Sequence, residues 1–338
     1  MQNSRSRVWV GFLTAVVGTG CGAQPDDVGS VADVGSVVAT TQAVLSDPTG
    51  TIRVTIGACS PVSFSGGSQS LSCTWNSGGV PTSALGLVTV GGGGQVVGEP
   101  VPGALVQASL PRAANNAAPG WWIFGAKDHA HPSAFQLQMA VMGLQIQSVD
   151  ARELHSLVKV RQARSASGQH VPTATAMALP GEVVLSGGGW CIGQSQSLVQ
   201  SQQLIWASTP FPQTGESTPT GWTVSCKDHE YSDPGYAEAF VVVMPRCLPS
   251  GLCFASKTLA SPNSASGGGY RPLEMSGNGA ITGVGARTSW RGAGGRMLTS
   301  IFPYELTTGG GLHADSKDHD IATTGYTAGY MVALSRAN

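Results

Sequence analysis

Gly221-Trp222-Thr223-Val224-Ser225-Cys226-Lys227-Asp228-His229 is the stretch on which the reading of the fold turns. Trp222, Val224 and Cys226 alternate with Thr223 and Ser225, the period-two pattern of a strand with one apolar face. The strand runs into Lys-Asp-His, and that triplet occurs twice more, as Lys127-Asp128-His129 and Lys317-Asp318-His319. The chain holds only five lysines, and three of them stand in these triplets. Spacing of this regularity marks an internal repeat.

Working outward, other features recur in the same order. Glycine clusters lie upstream: Gly91 to Gly94, Gly187 to Gly189 followed by Trp190, and Gly283-Val284-Gly285. A short strand ending in proline comes next, as Ala108-Ser109-Leu110-Pro111, Ala207-Ser208-Thr209-Pro210 and Ser300-Ile301-Phe302-Pro303. Five residues before each lysine sits Trp122, Trp222 or Leu312, and an apolar strand follows each triplet. The boundaries read as 51–147, 148–247 and 248–338. With 47 Gly, 20 Pro and only 11% charged residues, the composition fits short strands and many turns. The expected fold is all-β: three tandem divergent β-rich modules, either separate sandwiches or one pseudo-threefold assembly. Asp150-Ala151-Arg152-Glu153 has the Asp-x-x-Glu form of a helix start, so one short helix is expected near 150–158.

The order Gly-Gly-Gly, Ala-Ser-x-Pro, Gly-Trp, Lys-Asp-His and apolar strand resembles an uncharacterised family of secreted bacterial repeat proteins. The third copy matches best, through Ile281-Thr282-Gly283-Val284-Gly285-Ala286-Arg287 and Ser316-Lys317-Asp318-His319. The resemblance implies an exported repeat architecture and carries no activity with it.

The N-terminus reads as an export signal over residues 1–21. Arg5 and Arg7 precede an apolar run from Val8 to Val17 that is too short to span a membrane. Gly18-Thr19-Gly20-Cys21 resembles a bacterial lipobox, with Cys21 as the lipid acceptor and Gly18 in place of the usual leucine. Residues 22–50 are small, polar and acidic, and read as a flexible tether. The expected location is the bacterial cell envelope, lipid-anchored to a membrane, or the exterior.

Removing Cys21 leaves six cysteines. In an exported chain they favour disulfides, and pairing within or at the edge of a module gives Cys59–Cys73, Cys191–Cys226 and Cys247–Cys253. The runner-up, a zinc site, lacks any Cys-x-x-Cys pair. No cofactor or metal is expected. Net charge near −1 without a basic run argues against nucleic acid as a partner.

If each triplet strand continues without a bulge, Asp128, Asp228 and Asp318 join Trp122 and Trp222 on the inward face. A buried carboxylate there needs hydrogen bonds, and the backbone N–H groups of the following loop would supply them, a structural role. Lys127, His129, Lys227, His229, Lys317 and His319 then point outward as candidate binding residues for a carbohydrate or cell-surface polymer. A Ser-His-Asp arrangement needs Asp and His to meet, which adjacent strand residues do not. His155, His170 and His313 have no spaced partners and read as structural or solvated. The leading expectation is therefore a lipid-anchored, non-enzymatic binding or adhesion scaffold. The alternatives are a secreted hydrolase using a triplet His and Asp, and a purely structural envelope protein.

Overall fold

The computed structural model describes residues 37–65, 67–75, 86–97, 104–113, 117–127, 134–194, 201–228, 232–290, 295–306, 309–318 and 323–337. Two strands open the chain, β1 (Val37–Val38) and β2 (Thr40–Ser46). The first module has six: β3 (Ile52–Phe64), β4 (Ser68–Thr74), β5 (Val88–Val97), β6 (Leu105–Arg112), β7 (Trp121–Lys127) and β8 (Phe135–Ile146). After helix α1 (Ala151–Leu157) the second has β9 (Lys159–Arg164), β10 (Thr173–Met177), β11 (Glu182–Gly193), β12 (Gln203–Phe211), β13 (Gly221–Asp228) and β14 (Gly235–Pro245). The third has β15 (Phe254–Ala260), β16 (Arg271–Gly277), β17 (Ala280–Trp290), β18 (Arg296–Leu306), β19 (Gly309–Asp318) and β20 (Gly325–Arg336). The fold is all-β, and the helix stands where the capping pattern put it. Asp150 caps α1 by accepting the N–H groups of Arg152 and Glu153.

Within each module the pairing is the same. The fifth strand lies between the second and fourth, and the sixth lies between the first and third. The two three-stranded halves of one module do not share a sheet. Instead β6 pairs with β11, β12 with β17, and β18 with β5. Each sheet thus joins half of one module to half of the next, and the third joins back to the first. Of the two arrangements the sequence allowed, the chain forms the closed assembly.

Closure depends on the glycine clusters. Cβ atoms at Gly92 and Gly187 would overlap the indoles of Trp122 and Trp222, and one at Gly94 the ring of Phe124. The intervening glycines face neighbouring modules. A Cβ at Gly91 would overlap the carbonyl of Thr282, at Gly93 that of Ile301, at Gly188 that of Ser109, and at Gly285 that of Ser208. Both faces of these strands therefore press on other strands, and a side chain fits on neither. Each third strand also carries a bulge at the same place, between Thr89 and Gly91, Val184 and Ser186, and Ile281 and Gly283. At the bulges Ser186 Oγ donates to the Val90 carbonyl, and Thr282 Oγ1 donates to the Leu185 carbonyl at 2.6 Å.

The core explains a second motif. Trp122 and Trp222 are fully buried, and a buried indole N–H needs an acceptor. Trp122 Nε1 donates to Ser109 Oγ at 3.2 Å, and Trp222 Nε1 to Ser208 Oγ at 3.0 Å. In the third module Leu312 replaces the tryptophan, and Ile301 replaces the serine at the matching register position. Donor and acceptor are lost together. Disulfides join Cys59 to Cys73, Cys191 to Cys226 and Cys247 to Cys253. The first two tie strands of different sheets within one module.

The expected tether is shorter than 22–50. Residues 37–46 are strands: β1 runs parallel to β4, and β2 runs antiparallel to β3. Ala39 and Leu45 are buried, so this mostly apolar segment belongs to the folded body and not to the tether. The signal and the remainder of the tether lie outside the described residues.

Gly188→Ala is expected to cost about 1–3 kcal/mol of unfolding free energy, the usual penalty of overpacking. Gly125→Ala, whose new Cβ would meet nothing closer than 3.4 Å, is expected to cost well under about 1 kcal/mol. Urea unfolding of both variants beside the parent chain measures the difference.

Candidate functional site

The triplets end β7, β13 and β19. Asp128, His129, His229 and His319 lie outside the described residues; the three lysines, Asp228 and Asp318 lie within them. The lysines do not occupy the open outer face that strand alternation suggested. Lys127 and Lys317 are each 7% exposed, and Lys227 is half-buried.

The neighbouring module is the reason. Lys127 pairs in register with Leu105, Lys227 with Leu204 and Lys317 with Met297. Leu105, Leu204 and Met297, one from each module, are fully buried against one another. Lys127 reaches out of its own module and donates from Nζ to the Ser201 carbonyl of the second, at 2.8 Å. Lys227 Nζ lies beside Gly295 of the third. Burial lowers both ammonium pKa values, with Asp233 opposing the shift at Lys127 and Asp228 opposing it at Lys227.

The aspartates hold loops. Asp318 Oδ2 accepts the Thr323 N–H at 3.0 Å, and Asp228 Oδ2 accepts the Asp233 N–H at 3.4 Å. In both copies the bond spans five residues and ties the start of the closing strand to the end of the triplet strand. His170 Nδ1 stands 2.6 Å from Asp228 Oδ2. Asp233 in turn accepts the N–H groups of Gln194 and Gln202, at 3.0 and 2.7 Å. Opposite Asp318 lies the fully buried Arg296, which donates to the carbonyls of Ser316, Gly267 and Thr323. Gln203 takes its place in the second module and donates to the carbonyls of Gln169 and Asp233. Lys127, Asp228 and Asp318 are thus committed to protein partners.

Among the described residues, no group of three or more His, Cys, Asp or Glu side chains is placed to hold a metal ion. No known family model matches this chain, and no curated protein matches it either.

A different cluster gathers titratable groups. In the half-sheet of β16, β19 and β18, Glu274 lies opposite His313, which lies opposite Phe302. The next rung toward the triplet holds Pro272, Asp315 and Ser300, and the next one away holds Ser276, Gly311 and Tyr304. Paired residues share a face, so these side chains lie together, away from the Leu312 and Ala314 core face. His313 Nε2 stands 2.6 Å from Asp315 Oδ2, and its Nδ1 stands 3.9 Å from Glu274 Oε1. Asp315 is 4% exposed. The Tyr270 hydroxyl donates to the same carboxylate; burial and then this hydrogen bond push the Tyr270 pKa up. Tyr304 lays its ring across Gly311, its atoms 2.6 to 2.9 Å from where a Cβ would stand.

Sequence reasoning passed over His313 because it looked for spaced histidines. The signal was present as His313-x-Asp315: two residues apart on a strand is one face. The hydrogen bond to Asp315 raises the His313 pKa, against the opposing effect of burial, and the charges of Asp315 and Glu274 add to the rise. Its folded pKa therefore exceeds the unfolded value of about 6.5. The stabilisation is fully present below the unfolded pKa and is lost as pH rises through the folded one. Unfolding free energy is expected to fall over that interval in the parent chain and to fall less in His313→Gln. Denaturant titrations across neutral pH give both slopes, and equal slopes would exclude the linkage.

Proposed function

We propose that this chain is an exported, lipid-anchored surface protein that acts without catalysis, as a binding scaffold for carbohydrate. Its bacterial lipobox-like Cys21 would carry the lipid, and the three disulfides suit an oxidising exterior. With β1 packed on the first module, only residues 22–36 separate lipid from folded body. Fifteen extended residues reach at most about 50 Å, so the body would stand close to the membrane.

One observation carries the binding reading. The rung that pairs Gly221 with Phe211 in the second module pairs Gly311 with Tyr304 in the third and Trp121 with Arg112 in the first. Each module thus presents one aromatic ring at the same level, and none of the three is buried: Phe211 is 40% exposed, and Trp121 and Tyr304 are half-buried. Rings of this kind offer the flat apolar surface on which a sugar ring stacks. Three around a closed body would favour multivalent contact with a polymer. The triplets serve this reading as architecture, since their described lysines and aspartates lie buried or half-buried among loop and module contacts.

The full chain is expected to be retained on immobilised glycans. The triple variant Trp121→Ala/Phe211→Ala/Tyr304→Ala, with an unchanged circular dichroism spectrum, is expected to lose that retention. A glycan array read with both proteins decides the matter; a parent chain retained by no glycan contradicts the reading.

A further inference from the structure

We infer that the Cys247–Cys253 disulfide is a thiol-exchange site, at which a small external thiol reversibly opens the bond. This chemistry uses no group of the proposed glycan surface. The three disulfides differ in access. Cys59, Cys73, Cys191 and Cys226 are each at most 1% exposed, whereas Cys247 is exposed and Cys253 half-buried. Exchange needs a thiolate to reach a sulfur, so the two core disulfides are closed to it while the fold lasts. Cys247 and Cys253 face each other across a short hairpin between β14 and β15. Leu248 and Phe254, next along each arm, point to the opposite face and are buried, which leaves the sulfurs on the solvent side. Because β14 and β15 belong to different sheets, this hairpin is where the chain passes from the second module to the third.

The hairpin has backbone bonds of its own. The Leu248 N–H donates to the Leu252 carbonyl and the Phe254 N–H to the Arg246 carbonyl, both at 2.8 Å, and the Gly251 N–H donates to the Leu248 carbonyl at 2.9 Å. Neighbouring segments hold its base, through Arg246 N–H on the Gly181 carbonyl at 2.7 Å and Ala337 N–H on the Cys253 carbonyl at 2.8 Å. Gly251 makes the turn with a φ of +85°, in the left-handed region that favours glycine. With the disulfide open, the two cysteines therefore stay side by side and can pair again. Cys253 Sγ lies 3.8 Å from the Gly251 carbonyl, which accepts the S–H of the freed thiol without any movement of the loop.

The incoming thiolate attacks Cys247 Sγ, the more open sulfur. Its electron pair forms the new S–S bond, the Cys247–Cys253 bond breaks, and Cys253 leaves as a thiolate that takes a proton from water. The product is a mixed disulfide at Cys247. A second thiol attacks the external sulfur of that bond and releases Cys247 as a thiol, so two external thiols are oxidised as one protein disulfide is reduced. Residues 245–256 carry Arg246 and no carboxylate, so the approaching anion meets no like charge along the hairpin.

Reduced glutathione is the probe. The full oxidised chain is incubated with it at about pH 8, where an ordinary thiol is partly ionised, then trapped by alkylation and mapped by peptide mass spectrometry. Glutathionylated Cys247, or alkylated Cys247 and Cys253, is expected at least about tenfold faster than any product at the four buried cysteines, with tryptophan fluorescence unchanged. Oxidised glutathione is then expected to restore the starting mass. Equal reaction at all three disulfides, or reaction at none before the chain unfolds, overturns the site. A change in fluorescence on opening, or a bond that does not close again, overturns its reversibility. Cys253→Ser and Cys247→Ser each leave one thiol in the hairpin for oxidised glutathione to modify, and Cys247 is expected to react several-fold faster than Cys253. Equal or reversed rates overturn Cys247 as the sulfur attacked.

Discussion

Three glycine-rich strands, one from each module, press backbone to backbone at the centre of the molecule, and the rest of the structure depends on that contact. Gly91 lies against the Thr282 carbonyl, Ser186 donates to Val90, and Thr282 donates to Leu185. First meets third, second meets first and third meets second. Interiors are packed too tightly for an extra methyl to be absorbed at such a contact. The bulges beside it leave three carbonyls outside the regular ladders. Two of them are met by hydroxyls of the next module, which is how a buried carbonyl is kept satisfied.

Closure determines what the outer parts can do. Because each sheet takes half its strands from one module and half from the next, Lys127 and Lys227 meet the adjoining module. Lys127 is drawn into a bond with Ser201, and Asp228 and Asp318 brace the loops that lead into the closing strand of their modules. Freed from that duty, the faces of the half-sheets have diverged. One carries cross-strand threonines and a serine, one pairs Ser70 and Ser72 with Gly125 and Ile123, and one carries the His313, Asp315 and Glu274 group. The three modules thus share one frame and present three different faces.

Much of this was legible in the sequence. Strand alternation placed Trp122, Trp222 and Leu312 in the core, Asp150 marked the helix start, and cysteine spacing within modules gave the three disulfides. The exchange of half-modules between sheets was not legible, because period-two patterning fixes which face of a strand is apolar and says nothing about which strand lies beside it. That gap explains the misreading of the lysines. Alternation put them opposite the tryptophan face correctly, but that face is covered at its end by Leu105, Leu204 and Met297 gathered from three modules. The tether was misjudged because residues 22–50 were read as one polar stretch, although Val37, Val38, Ala39, Val44 and Leu45 set residues 37–46 apart from the rest.

The central claim is that the three modules form one closed unit held by strand pairing between them, and cooperative unfolding tests it most directly. Equilibrium denaturation of the full, oxidised chain, followed both by tryptophan fluorescence and by far-ultraviolet circular dichroism, compares the tryptophan environments, six in the first two modules and Trp290 in the third, with the strands of all three. The closed assembly predicts one coincident transition in both signals. Separate or non-coincident transitions would show modules that stand alone and would contradict the account.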